Sequence, residues 1–278
     1  MQLNKLLFSI KNNDNHKIIT ICGIKLKFQR KTKFIQQEYP SLNDIKTTVN
    51  SIIINSRLEK YRGINYGKEI VIVGCGESCN YYIPKQNTIH IGINRAFKRE
   101  DIAFDYLFVQ DQFPEEMTSF INYKGNDCKK FIGIIPYSID YRIHPCVINQ
   151  INGERYVLNN TKMTNCPYDI TMEPFADLMG TVFSALQFAL FTLPKRIYLV
   201  GFDCNVGHAF KSDTKTDLSY QYNSWKMMKD YINKYWNCIE IISINPVGLK
   251  GMFKDQYSQN YIDSHNDVQI ENHEIIKL

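Results

Sequence analysis

The chain has no run of about 18 apolar residues, so nothing in it reads as a membrane-spanning helix. Its start, MQLNKLLFSIKNN, holds too short an apolar stretch for a secretory leader. The eight cysteines form no Cys-x-x-Cys pair and follow no regular spacing. That argues against a disulfide framework and against a zinc module, and it leads us to expect reduced thiols in a cytoplasmic protein. No third glycine completes the dinucleotide pattern Gly-x-Gly-x-x-Gly. Internal repeats and low-complexity segments are also missing.

What is present suits a folded domain. The 278 residues allow one large domain or two small ones, and 44% hydrophobic with 22% charged content is ordinary. Aromatic content is high at 13%, with 18 Tyr and 16 Phe, which suits sheets and also stacking on bases or sugars. The net charge of +5 is unevenly spread. Residues 1–35 hold eight Lys/Arg against one acid, Asp14, leaving 25 basic against 27 acidic in the remainder. Such a basic start either favours an anionic surface, whether lipid headgroups, an anionic glycan or nucleic acid, or is simply a solvated hairpin.

The chain is organised around Glu69 to Asn80, EIVIVGCGESCN. An apolar run ended by glycines predicts the first strand of an open α/β sheet, with Gly74-Cys75-Gly76 as a tight turn. Amides at such a corner favour anions, with Ser78 a candidate helix cap; the plain alternative is a turn without a ligand. Further strands are expected at 88–93, 105–109, 131–135, 196–200 and 239–244. Helices are expected at 40–61, with Ile45, Val49, Ile52 and Ile53 on its buried face, and at 177–193 and 221–236. Alternating strands and helices predict an α/β fold: a Rossmann-like, doubly wound, mainly parallel sheet with helices on both faces. His16 to Phe28 reads as a small hairpin around Gly23. The expected organisation is therefore a basic hairpin module at 1–35 and a nucleotide-sugar-binding domain at 36–255. Within it 150–175 reads as a lid or insertion, and 256–278 as a polar tail.

Three stretches carry a resemblance: VIVGCGES at Val71, GTVFSALQFAL with KRIYLVGFD between Gly180 and Asp203, and INPVGLKGMF from Ile244. Together they resemble the bacterial CMP-sialic acid sialyltransferases of glycosyltransferase family 42. They look equally like a broader glycosyltransferase-like group that includes a pterin pyrophosphokinase. The basic start resembles segments attached to capsule and lipooligosaccharide glycosyltransferases. The resemblance implies that Gly74, Cys75, Gly76 and Ser78 touch a CMP-activated donor. It implies the same for Asn94, Gln110, Gly180, Thr181 and Gly201, and puts Asp203 near the cytidine. The family has Asn at the position of Cys75. Its two phosphate-steadying tyrosines fall near Asn205 and His208, and its catalytic His near Tyr220-Gln221-Tyr222, where no His stands.

His208 could take a proton from an attacking hydroxyl or meet the charge of a departing phosphate; a polar loop role is the alternative. Asp203 is a ribose or base contact or a turn cap, and Asp111 is a second candidate base. Asp-x-Asp, the usual metal grip of sugar transferases, is missing, and no metal or other cofactor is expected. The implied activity is an inverting, metal-independent transfer of sialic acid, Kdo or a related sugar from a CMP donor to a surface glycan. A pyrophosphokinase-like enzyme and a non-catalytic nucleotide- or glycan-binding protein are the alternatives. Expected partners are the donor, the glycan acceptor, an anionic inner-membrane surface met through residues 1–35, and a second copy of the chain; nucleic acid is not expected.

Overall fold

The computed structural model describes residues 8–13, 16–21, 24–29, 49, 51–110, 114–123, 125–134, 148, 150–204, 208–210, 219–265 and 274–276. The chain divides into two compact units, Met1–Leu42 and Asn43–Leu278. The first is a three-stranded antiparallel sheet, β1 (Phe8–Asn13), β2 (His16–Ile21) and β3 (Ile24–Gln29), in that order. The expected hairpin is thus β2–β3 with FSIKNN added as a third strand, and the unit ends nearer 42 than 35. Nearly all side chains of the basic segment lie outside the described residues.

The second unit is built on a ten-stranded sheet in which every pairing is parallel. Its strands are β4 (Glu69–Val73), β5 (Ile89–Ile93), β6 (Tyr106–Val109), β7 (Lys129–Ile134), β8 (Gly153–Lys162), β9 (Phe175–Asp177), β10 (Arg196–Val200), β11 (Glu240–Ile244), β12 (Lys254–Ser258) and β13 (Glu274–Ile276). Their spatial order is β13-β12-β11-β10-β4-β5-β6-β7-β8-β9. From β4 the chain first builds outward through β5 to β9. It then returns to the other side of β4 and builds outward through β10 to β13. The winding reverses between β4 and β10, and open α/β sheets bind ligands at such a point.

Alternation along each strand feeds two cores. Ile70, Ile72, Ile91, Phe108 and Phe131 face one side, where helices α2 (Thr181–Phe191) and α3 (Gln221–Tyr235) pack. Val71, Val73, Leu107, Ile132 and Val200 face the other, under α1 (Pro114–Asn122) and two 3₁₀ helices, Glu77–Tyr81 and Asn94–Lys98. Both faces are covered, so these strands read as continuous apolar runs, which is why they were visible in the sequence. All eleven residues of α2 are buried. Its Phe188 meets the Phe108–Phe131 stack, whose rings lie 4.5 Å apart and 4° from parallel.

Two expectations are corrected. The stretch 150–175 is not a lid: β8 runs as an inner strand between β7 and β9, burying Tyr156, Val157 and Leu158. Nor is 256–278 a free tail. Lys254–Ser258 pairs with β11, Tyr257 is buried, and α4 (Gln259–Ser264) follows with Tyr261 buried. Asn245, at φ 49°, fixes that strand: its Oδ1 accepts from the Ser258 amide at 2.8 Å, and its backbone N–H donates to the Gln256 carbonyl. The helix expected through Tyr61 is described as α-helical at 51–55 and 3₁₀ at Ser56–Tyr61. Its face also differs. Ile53 is exposed, whereas Ser51 and Asn55 are fully buried.

Asn55 is buried because it completes β8. Its Oδ1 accepts from the Val157 amide at 3.0 Å and its Nδ2 donates to the Glu173 carbonyl at 3.1 Å. Asn55→Ala leaves both backbone groups without their partner. We expect a loss of about 1–3 kcal/mol in urea unfolding, whereas Ile53→Ala on the exposed side should change stability little.

Candidate functional site

The end of β4 and the end of β10 are drawn together at the switch point. The Gly74 amide donates to the Val200 carbonyl at 2.7 Å, and the Gly76 amide to the Gly201 carbonyl at 2.8 Å. A Cβ on Gly76 would lie 2.6 Å from the Asp203 carboxyl carbon, and one on Gly74 2.6 Å from the Phe202 ring. These two glycines are therefore demanded by the neighbouring chain. Gly201 is a glycine for its own reason, a φ of +73°.

Asp203 supplies the anion that the turn was expected to attract. Its Oδ2 accepts from the Ser78 amide at 2.9 Å, and its Oδ1 takes the Ser78 hydroxyl. The Glu77 amide also bonds this carboxylate. The amide corner after β4, with the start of the 3₁₀ helix Glu77–Tyr81, is thus filled from within. Ser78 is no α-helix cap, and it is buried behind the cavity wall. Asp203 is 5% exposed, and burial raises its carboxyl pKa above the ordinary value despite the opposing bonds from Ser78.

Beside this clamp lies a cavity of about 240 Å³. Five strand or helix ends wall it: Gly74–Gly76 after β4, Ile93–Arg95 at the end of β5, Met179–Val182 at the head of α2, Gly201–Cys204 after β10, and Tyr220–Gln221 at the head of α3. His208 closes one side. The next residue, Ala209, donates its amide to the Cys75 carbonyl at 2.9 Å, which ties that loop to the turn. Asn94, Met179 and Cys204 all hold positive φ, between 49° and 62°. Six other described non-glycine residues share such a φ elsewhere; at this cavity Met179 and Cys204 carry its cost, whereas Asn94 is of a type that adopts it readily.

The polar groups on the wall have fixed senses. Thr181 Oγ1 donates to Asn94 Oδ1 at 3.2 Å, leaving the Asn94 amide nitrogen as the donor. Gln221 Nε2 donates to the Met179 carbonyl at 3.1 Å, leaving Oε1 as an acceptor. The Phe210 amide donates to His208 Nδ1 at 3.1 Å, so the neutral ring carries its proton on Nε2. In that tautomer His208 offers a proton at Nε2 and cannot receive one there. Gly180 caps α2 without a side-chain bond, and the first amides of an eleven-residue helix face the cavity with the positive end of its dipole. Arg95 adds a full positive charge. Burial pushes the Cys75 thiol up to about 12 and Cys204 to about 11, so neither is a thiolate nucleophile near neutral pH.

Of the residues singled out in the sequence, Gly74, Cys75, Gly76, Asn94, Gly180, Thr181, Gly201, Asp203 and His208 line this one cavity. Ser78 stands behind it. Gln110 does not reach it: it ends β6, two strands from β4 and so about 10 Å away, buried, with Oε1 unpartnered among the described residues. Asp111 and Asn205 lie outside the described residues. Arg95 and Gln221 are lining residues that sequence reasoning missed; Arg95 adjoins Asn94, and charge beside a strand end was the available signal. Among the described residues no group of three His, Cys, Asp or Glu could hold a metal ion, and no helix is long and apolar enough to cross a membrane. Comparison with protein-family models, curated proteins and solved structures finds no match.

The Asp203 clamp has a pH signature. A carboxyl whose pKa is raised by folding contributes stability that is complete below its ordinary value of 3.8 and is lost as pH rises through the folded value. Relative to Asp203→Asn, the wild-type chain should therefore lose stability between pH 4 and pH 7 in urea titrations. Asp203→Ala, which strands the Ser78 and Glu77 amides, should cost about 2–3 kcal/mol at either pH. A wild-type advantage that grows with pH would contradict burial as the dominant influence on this carboxyl.

Proposed function

We propose that the chain is an inverting, metal-independent glycosyltransferase that uses a CMP-activated sugar, sialic acid, Kdo or a related acid, and a surface-glycan acceptor. One observation carries the reading: a cavity at the strand switch point, walled by the head of a long helix, Arg95 and the fixed donors of Asn94 and His208. That is the chemistry a nucleoside monophosphate requires at its phosphate. Gln221 Oε1 supports cytosine, whose exocyclic amine needs an acceptor where uracil would present an oxygen.

The same geometry shapes the roles. Asp203 is committed to the turn, so in this reading it positions β4 against β10 and touches the nucleoside at most with an edge. His208, with its proton on Nε2, suits the departing phosphate better than the attacking hydroxyl. A base role at Nε2 would require the opposite tautomer, which the Phe210 amide opposes. Cys75, in place of an amide side chain, gives its thiol to the Ile93 carbonyl at 3.3 Å and adds packing rather than a donor contact.

Calorimetric titration tests the site directly: CMP should bind and ATP with Mg²⁺ should not. CMP-sialic acid or CMP-Kdo should be turned over equally with and without EDTA. His208→Ala should lower kcat by about 10²-fold or more while CMP still binds. Failure to bind CMP, or binding of ATP in its place, would end the proposal.

A further inference from the structure

A second cavity, of about 290 Å³, lies against the far half of α3. Its lining comes from two short stretches: Thr164–Cys166, in the loop between β8 and β9, and the α3 residues Met227, Asp230, Tyr231, Lys234 and Tyr235. Spacings of three and four along α3 put these side chains on one helix face. Tyr231 forms a buried floor, its hydroxyl donating to the Pro167 carbonyl at 2.8 Å. The lining residue Tyr235 is exposed and packs against the exposed ring of Tyr168, which follows the Thr164–Cys166 stretch. Tyr168 is 70% exposed and Tyr235 43%, with centroids 5.8 Å apart and planes at 68°. Thr164 Oγ1 is inaccessible to solvent and has no partner among the described residues.

We infer that this cavity binds a neutral saccharide unit, a hexose or N-acetylhexosamine. The exposed ring of Tyr235 on the lining, held edge-on by Tyr168, offers an aromatic face to the C–H face of a sugar ring. Asp230 can accept from neighbouring hydroxyls, while Lys234 and the Asn165 amide can donate. A phosphate or other anion would meet the Asp230 carboxylate, and an apolar peptide would strip water from Asp230 and Lys234 without replacing its hydrogen bonds. The volume, just under the roughly 300–1,000 Å³ of small-molecule sites, limits the ligand to one or two rings.

The site is separate from the strand-end cavity. The two share no lining residue: Gln221 borders the first at the head of α3, and the second begins at Met227, six residues or about 9 Å further along, and extends to Tyr235. The inference stands whether or not the first cavity holds a nucleotide. If the transferase reading is right, the second site holds a distant residue of the glycan acceptor and keeps the chain on the enzyme between transfers.

Saturation-transfer NMR on the full chain, with lactose, maltose and N-acetylglucosamine as probes, tests it. At least one probe should receive saturation through its ring protons. Its affinity should fall about tenfold in Tyr235→Ala and in Asp230→Asn, both partly exposed positions whose thermal melts should match the wild type. Excess CMP and the His208→Ala change should leave the signal intact. No transfer to any of the three sugars overturns the inference, as does a signal that survives Tyr235→Ala. Displacement of the sugar by CMP would overturn it too, by moving the sugar to the strand-end cavity.

Discussion

The carboxylate of Asp203, seated in the amides of Glu77 and Ser78, is the contact on which the central architecture depends. A doubly wound sheet has one place where two neighbouring strands are far apart in sequence and leave in opposite directions. Here those strands are β4 and β10, separated by more than a hundred residues. Ladder hydrogen bonds align them, yet the ladder ends at Val73 and Val200. Two further bonds, from the Gly74 amide to Val200 and from the Gly76 amide to Gly201, carry the pairing into the turns, and the amides of Glu77 and Ser78 come next. Asp203 meets these by acting as the anion that the turn after β4 is shaped to hold. Gly74 and Gly76 follow from the same closeness, since a side chain at either would push the two turns apart, and Gly201 adds the positive φ that the second turn requires.

At the opposite edge of the sheet a charge ladder does comparable work. Arg196, which starts β10, lies in register with Glu69 and Glu240, and reaches Glu69 Oε1 at 3.1 Å and Glu240 Oε2 at 2.5 Å. Lys85 joins Glu69 at 2.7 Å and the Tyr198 hydroxyl at 2.8 Å. These groups are partly exposed, so each pair adds little energy. Their value lies in register: a one-residue slip of β10 would set Arg196 beside apolar neighbours and turn its strand over. The switch-point strands are thus held at one end by a buried carboxylate and at the other by a half-exposed network.

Much of this was legible in the sequence because burial on both faces leaves a plain signature. EIVIV, YLFV and RIYLV are apolar runs followed by polar or glycine residues, and each is a strand of the sheet; the ends of the first and third meet at the switch point. The strands that escaped notice are mixed in character. GERYVLNNTK holds only three consecutive buried apolar residues amid Asn and Thr, and KDQYS buries Tyr257 beside polar neighbours; both owe their place to distant partners, Asn55 and Asn245. Helical periodicity misled at 51–55 for the same reason. A buried asparagine that satisfies another strand's amide cannot be told from a surface asparagine without the fold. The cavity was legible as a set of strand ends, whereas the senses of its donors were not. Two of those depend on Thr181 and Met179, which meet Asn94 and Gln221 only in three dimensions, and the third on the local backbone that turns the Phe210 amide onto His208.

The glycine turn itself shows how a motif can be read correctly and mean something else. Amides at a strand-to-helix corner do attract an anion, as the sequence implied, but the chain supplies that anion itself. A ligand phosphate must then use the next source of positive potential, and the head of α2 lies across the same cavity, with Arg95 on the wall beside Asn94. The consequence is electrostatic. A buried carboxylate on one wall repels a second anion at short range, while the helix end and Arg95 attract it on the other. A phosphate placed in this cavity, as the proposed function requires, would be driven toward α2 and away from the glycines, with the turn shaping the wall and the helix end meeting the charge.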